Sequence, residues 1–265
     1  MVLIAACLFA ALPVIFLYLN TFKTLPEFFD DPYGPPPVLR LANYLQAWDE
    51  ADIAVKLTNS VLATTGGVLV NMLVAIPASY AFSRARFRFR LRTPLYLLFV
   101  GGMVVPLQLI LLPLVVFMKQ LFLSQSIFAL ILAYAALSLP MSILFLTSFF
   151  SSIPVDIEEA AVIDGAAVVQ VLRYVILPLS RAGIAALAIL AGVWMWNDFI
   201  IALILASRPS IQTLPVGIMS FFGVYSTEWT LAFASVAIAA TPFIVAYFFL
   251  TRQFITGLTA GAVRG

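Results

Sequence analysis

The chain has 265 residues, 63% of them hydrophobic and 10% charged, with a mean hydropathy of +1.10 and a net charge of +2. Soluble domains carry about 25% charged residues, so this composition belongs in lipid and the fold is set by membrane spans. One cysteine, Cys7, and no histidine exclude an internal disulfide and remove the commonest general base and metal ligand, while the small net charge gives no footprint for nucleic acid.

A spanning helix needs about 20 mostly apolar residues. The first candidate, 2–20, lacks the basic start and small-residue cleavage site of a signal peptide and reads as a span. The segment Asn20 to Ser60 is polar for this chain, with Glu27, Asp30, Asp31, Asp49, Glu50 and Asp52. Its Pro35-Pro36-Pro37 favours an extended polyproline conformation. Leu41 to Lys56 reads as a short amphipathic helix with Leu41, Leu45, Trp48 and Val55 on its apolar side. Further spans are expected at 61–82, 94–118, 127–149, 183–206 and 230–250. Several contain proline (Pro13, Pro77, Pro106, Pro113, Pro140, Pro242), which bundles tolerate because neighbouring helices re-satisfy the freed carbonyls. Pro106 and Pro113 are expected to bend the third span. The whole reads as one domain over 1–265, an all-α membrane protein of six transmembrane helices without internal repeats.

Orientation follows from lysine and arginine placement. Arg84, Arg86, Arg88, Arg90 and Arg92 lie between spans two and three, Arg173 and Arg181 between four and five, and Arg252 and Arg264 in the tail. All nine share one side if there are six spans. Lys23, Arg40, Lys56, Lys119 and Arg208 are spread over the other. The nine-residue side is expected to be cytoplasmic, with both termini inside a multi-pass membrane protein.

The loop 150–182 reads Glu159-Ala160-Ala161, three residues, Gly165, nine residues, then Val175-Ile176-Leu177-Pro178. Asp156 is placed as the N-cap of a helix through Ile157-Glu158-Glu159, with Glu159 as its capping-box partner. Gly165 permits a tight turn of positive φ. A second helix, Ala166 to Tyr174, is expected to end at Leu177-Pro178. On these residues alone the loop is either a docking element with exposed acids or an ordinary amphipathic connection.

The spacing resembles the EAA loop of bacterial ABC-importer permeases, with Val175 where the family pattern has isoleucine. The ending Gly257-Leu258-Thr259-Ala260-Gly261-Ala262-Val263-Arg264-Gly265 is similar to that of carbohydrate-uptake permeases of the maltose and glycerol-phosphate type, with Arg264 where lysine is common. Trp196-Asn197-Asp198 and Thr213-Leu214-Pro215-Val216-Gly217 resemble the same group. The resemblance implies a type I importer permease fold in a bacterial or archaeal cell membrane. It implies docking on an ABC ATPase homodimer through Glu158, Glu159, Ala160, Ala161, Asp164, Gly165, Leu177 and Pro178, and a tail seated near that dimer. It also implies a second, non-identical permease and an extracytoplasmic solute-binding protein. No Gly-x-x-x-x-Gly-Lys-Ser/Thr loop occurs, so ATP is expected on partner subunits, with no cofactor, metal or bond chemistry in this chain.

Asp198 is the only carboxylate within an expected span, and an intramembrane acid is by default a functional hypothesis. With Trp196 and Asn197 it offers the ring face and hydrogen-bonding groups that a sugar needs. It serves equally as a tie between helices. Asn71 and Gln108 are the other polar residues placed on the substrate pathway. The alternative function is an ion-gradient-coupled secondary transporter. Such a protein usually buries several ionisable groups at the midplane, where this chain offers Asp198. An intramembrane hydrolase is excluded by the missing histidine and the missing Gly-x-Ser-x-Gly motif.

Overall fold

The computed structural model describes residues 2–84, 87, 90–223, 227–242, 244 and 245. Arg86, Arg88, Arg252 and the ending Gly257–Gly265 lie outside the described residues. The helices are α1 Val2–Asn20, α2 Leu25–Asp30, α3 Ala42–Glu50, α4 Ile53–Ser83, α5 Arg92–Gly101, α6 Leu107–Gln120 and α7 Ile127–Ser151. They continue with α8 Val155–Ile163, α9 Val168–Val171, α10 Leu177–Asn197, α11 Ile200–Leu205, α12 Leu214–Ile218 and α13 Trp229–Pro242. The only pairing of strand type among the described residues is the isolated bridge Phe222–Thr227. Among the described residues the chain divides into two compact units, one of residues 2–60 with 202–245 and one of residues 61–201.

Among the described residues three helices are long and apolar enough to cross a membrane: Ile53–Ser83, Ile127–Ser151 and the continuous Val168–Asn197. Arg92–Val104 and Leu107–Gln120 make a fourth if the pair is one span, although it bends by 109°. Two shorter apolar helices, Ala5–Asn20 and Trp229–Pro242, fall at the first and sixth expected positions. The bend has a local cause. Pro106 caps α6, and Val105 before it is extended (φ −74°, ψ 118°) because a following proline disfavours the helical region. Pro113 stays inside α6. The fifth expected span, 183–206, is displaced: its helix begins at Val168 and stops at Asn197, so Asp198 sits at a helix end rather than within a span.

In the first unit the polar segment after α1 is tightly folded. Asn43 donates to the carbonyls of Thr21 (2.7 Å) and Lys23 (2.8 Å), Tyr44 donates to Thr21 Oγ1 at 2.9 Å, and the buried Lys23 donates to Asp31 O at 2.6 Å. Rings from three helices converge, with Phe233 5.8 Å from Phe16 and 5.4 Å from Phe28. The amphipathic helix expected over Leu41–Lys56 is two helices. Asp52 adopts φ 46°, a left-handed turn that a short polar side chain tolerates, and Val55 and Lys56 belong to α4. Leu41, Leu45, Trp48 and Val55 are exposed, whereas Ala47 is buried.

The Thr213–Gly217 stretch is tied to the start of α4. Asn59 donates to the carbonyls of Ser210 and Gln212, each at 3.0 Å, and the Leu214 N–H donates to Ser60 Oγ at 2.8 Å. Gly217 is required by close approach, because a Cβ there would lie 2.1 Å from Cδ of the buried Lys56.

α2 opens with a capping box between Thr24 and Glu27, and Glu27 also pairs with Arg40. The Arg40 hydrogen bond, aided by the Thr24 N–H, lowers the Glu27 carboxyl from its ordinary 4.5 to about 2. A depressed folded-state value stabilises above the unfolded value and is lost as pH falls through the folded one. This contribution is therefore complete above pH 4.5 and disappears toward pH 2. Glu27→Gln is expected to flatten the acid limb of thermal stability over that window, measured by melting in detergent; an unchanged limb would show that the pair contributes nothing.

In the second unit α4, α7 and α10 pack through small residues, as membrane helices do. A Cβ on Gly67 would meet Met195 Sδ at 2.8 Å and Tyr134 Cβ at 3.1 Å. The core toward the loop end comprises Tyr80 and Phe82 of α4, Ile143, Leu146 and Phe150 of α7, with Ile153, Val171, Ile176 and Leu187.

Candidate functional site

The loop after α7 is a helix, a glycine turn and a second helix. Pro154 (φ −55°, ψ 133°) starts α8 and makes no side-chain cap, which corrects the N-cap placed at Asp156. Proline is pre-set for a helix start, and Asp156 and Glu158 instead occupy the first turn, where carboxylates suit the helix dipole. α8 closes in a Schellman turn. The Gly165 N–H donates to Val162 O and the Ala166 N–H to Ala161 O, both at 3.0 Å. Gly165 takes φ 86°, the left-handed region that glycine enters without penalty. Ala161 and Ala166 rest on the core beside the turn.

The second helix does not end at Leu177-Pro178. Gln170 accepts from the Ala167 N–H at 2.7 Å and starts α9, which runs through a π turn, Leu172–Ile176, directly into α10. The Leu177 N–H reaches back five residues to Leu172 O. Pro178 has no N–H to give, and the wider turn lets the helix pass it as the opening of α10.

The loop turns an acidic and apolar face outward. Glu159, Ala160, Asp164, Gly165 and Pro178 are exposed, and Ala161 and Leu177 are half-buried. Ile163, Val169 and Tyr174 are 85%, 72% and 66% exposed, and Val155, Ile157, Val162 and Val168 are exposed beside them. Glu158 differs from the surface acid expected. It is buried, accepting from Tyr80 Oη at 2.9 Å and forming an ion pair with the buried Arg84. Arg84 carried only a topological meaning in the sequence, and nothing local signals a partner so far along the chain.

The pathway residues divide. Asn71 is fully buried: it donates to Ala135 O (2.9 Å) and Ser138 Oγ (3.0 Å) and accepts from Ser142 Oγ (2.8 Å), which ties α4 to α7. Gln108 is exposed at the start of α6, Trp196 is half-buried, and the exposed Asn197 donates to Val193 O at 2.8 Å. Asp198 ends α10 in extended backbone, accepts from the Oη of buried Tyr134 at 3.0 Å, and has the Ile201 N–H 3.5 Å from its Oδ1. Tyr134 in turn meets the Trp194 ring edge-on at 5.9 Å. Sequence alone does not single out Tyr134, because a tyrosine in an apolar run gives no sign of its acceptor. A separate cavity of about 450 Å³ lies beside the α5–α6 bend, lined by Met103, Pro140, Ser138, Ser142 and Trp194 among others.

Geometry makes Asp198 a tie between helices. Asp198→Asn keeps an acceptor oxygen for Tyr134 and is expected to preserve both stability and uptake kinetics. Asp198→Ala leaves a buried hydroxyl unpaired, at a cost of about 1–3 kcal/mol in unfolding measurements. A changed substrate affinity in the asparagine variant at parental stability would instead place Asp198 on the pathway.

The outward-facing helix–turn–helix follows α7, one of the helices apolar enough to cross a membrane. The family model for the inner membrane component of binding-protein-dependent transport systems matches residues 67–259, and the chain belongs to that family. It is 36% identical over 97% of its length, and 93% of the relative's, to a putative ABC transporter permease, ORF2, of a Caldicellulosiruptor species. It is 34% identical to the sulfoquinovosyl glycerol transport system permease SmoH of Agrobacterium fabrum, over 96% of this chain and 88% of that protein. The fold superposes with a TM-score of 0.83 on a chain of a bacterial ABC transporter involved in the import of the acidic polysaccharide alginate. The match is 21% identical and covers 96% of this chain and 94% of that one.

Proposed function

We propose that this chain is one permease half of an ATP-driven, binding-protein-dependent importer for a sugar or sugar derivative. The observation that carries the reading is the exposed face of α8 and α9, with Glu159, Asp164, Ile163 and Val169 presented around the Gly165 turn. Apolar side chains this exposed mark a contact with a protein or with the membrane, and the acids among them favour a protein. The adjoining acids fit basic groups on an ATPase subunit. Glu159, Ala160, Ala161, Asp164 and Gly165 form the contact, Leu177 and Pro178 join it to α10, and Glu158 acts from beneath it. The family supports ATPase and binding-protein partners, and the named relatives support a carbohydrate cargo.

ATP binds the partner ATPase homodimer, whose closure moves the docking helices and switches the spans between inward- and outward-facing states. This chain makes and breaks no bonds and needs no cofactor or metal. A second, non-identical permease completes the channel, and both termini of this chain lie in the cytoplasm. Gln108, Trp196 and Asn197 contribute to the sugar's route, offering amides to hydroxyls and a ring to the C–H face, while Asn71 and Asp198 set the helices around them.

The test is purification of the tagged chain from its native membrane in mild detergent. An ATPase, a second permease and a binding protein are expected to co-purify, and the binding protein is then screened against mono-, di- and oligosaccharides, polyols and glycerol phosphate. A chain recovered alone and active in transport would overturn the reading.

A further inference from the structure

α8 buries a single side chain completely, and that side chain is charged. Of Val155–Ile163 only Glu158 is fully enclosed, while Val155, Ile157, Val162 and Ile163 are exposed. Its two oxygens are both used. Oε2 accepts from Tyr80 Oη at 2.9 Å, and Oε1 takes Nε of Arg84. Tyr80 lies in the last turn of α4 and Arg84 follows its final residue, so both partners belong to the end of one long membrane helix. Tyr80 is held in turn by an edge-on contact with Phe87, with ring centroids 5.3 Å apart. The arrangement is costly, since both charges are withdrawn from water and Nη2 of Arg84 finds no hydrogen-bond partner among the described residues.

Simple attachment of α8 would be served as well by an apolar side chain, which buries without desolvating charge. A buried ion pair adds direction. Apolar surfaces slide past one another at little cost, whereas a carboxylate gripped from two sides resists displacement along and across the helix. We propose that Glu158, Arg84 and Tyr80 form a transmission joint that passes movement of the docking helix α8 to the end of α4. Glu158 and Arg84 are positioning residues that act inside the chain, beneath the surface that meets the ATPase. The proposal rests on the docking function of α8 given above. It gives the two neighbouring glutamates different roles, with Glu159 facing the partner and Glu158 facing the membrane unit.

The test uses the complete importer, purified and reconstituted in proteoliposomes, with ATP hydrolysis and uptake of the identified sugar measured together. In Tyr80→Phe/Arg84→Met/Glu158→Leu all three described members of the joint are replaced by apolar side chains, so none of them leaves another buried alone. This variant is expected to insert, bind the ATPase at parental stoichiometry and hydrolyse ATP, while sugar carried per ATP falls by about tenfold. Arg84→Lys, which keeps the charge, is expected to retain an intermediate ratio. A parental transport ratio in the apolar variant would overturn the proposal, because the joint would then serve folding alone. Loss of the ATPase from a folded Glu158→Gln complex would also overturn it, by making Glu158 a direct docking contact. A parental complex that contains no ATPase would overturn the functional reading and the joint with it, whereas the two preceding outcomes remove the joint and leave the importer standing.

Discussion

Gly165→Val is expected to abolish most uptake while leaving membrane insertion intact. Gly165 sits at φ 86°, and beyond its own two chain neighbours no described atom lies within 4 Å of where a Cβ would be. The substitution therefore meets open space, and its whole effect comes from the backbone. A β-branched residue in the left-handed region costs about 1–3 kcal/mol, a strain the loop relieves by opening the Schellman turn. That shift corresponds to roughly a 5- to 150-fold loss of the docked conformation. Gly165→Asn supplies the control, since asparagine tolerates this φ and keeps the turn. Uptake and ATP hydrolysis in matched proteoliposomes separate the cases. Valine should uncouple or release the ATPase, and asparagine should retain much of the coupling. Equal coupled transport in both would remove Gly165 from the docking mechanism.

Arg84→Met alone is expected to destabilise the protein more than any other single change named above. It removes the described counter-charge of Glu158, which is 2% exposed, and leaves Tyr80 among its described partners. Breaking one side of a buried ion pair costs about 3–5 kcal/mol, whereas replacing both sides with apolar groups is often neutral. The single variant should melt well below the parent in detergent and accumulate poorly. Adding Glu158→Leu and Tyr80→Phe should restore most of the loss. A single variant as stable as the parent would mean that water reaches the pair in the functioning protein.

Much of the fold was legible because lipid imposes long apolar runs, and the runs at 61–82 and 127–149 lie inside α4 and α7. The sharp bend at Pro106 was legible in kind, though a proline alone does not specify its 109°. Less legible was where helices stop. Asp52 breaks Leu41–Lys56 because an aspartate adopts a left-handed turn that hydrophobic periodicity does not register. Pro178 looked like a terminator, yet a π turn carries the helix past it. Asp198 looked like a mid-span acid because Ile200 to Leu205 continues the apolar run after the helix has ended.

The docking loop was legible in its backbone and not in its side chains. The Gly165 turn follows from one residue and its neighbours. The inward turn of Glu158 depends on Tyr80 and Arg84, more than 70 residues earlier in the chain, and no local pattern encodes it. Asn71 and Asp198 looked alike as polar residues in apolar surroundings. Their partners Ser138, Ser142 and Tyr134 all lie on α7, and so both act as ties between helices.

In the proposed function an ATPase docked on α8 and α9 drives this permease. The most direct test is sugar uptake by proteoliposomes holding the co-purified complex, with proton and sodium gradients collapsed by ionophores. Uptake is expected to require ATP and the binding protein and to survive the ionophores. Uptake by this chain alone, driven by an ion gradient and indifferent to ATP, would contradict it.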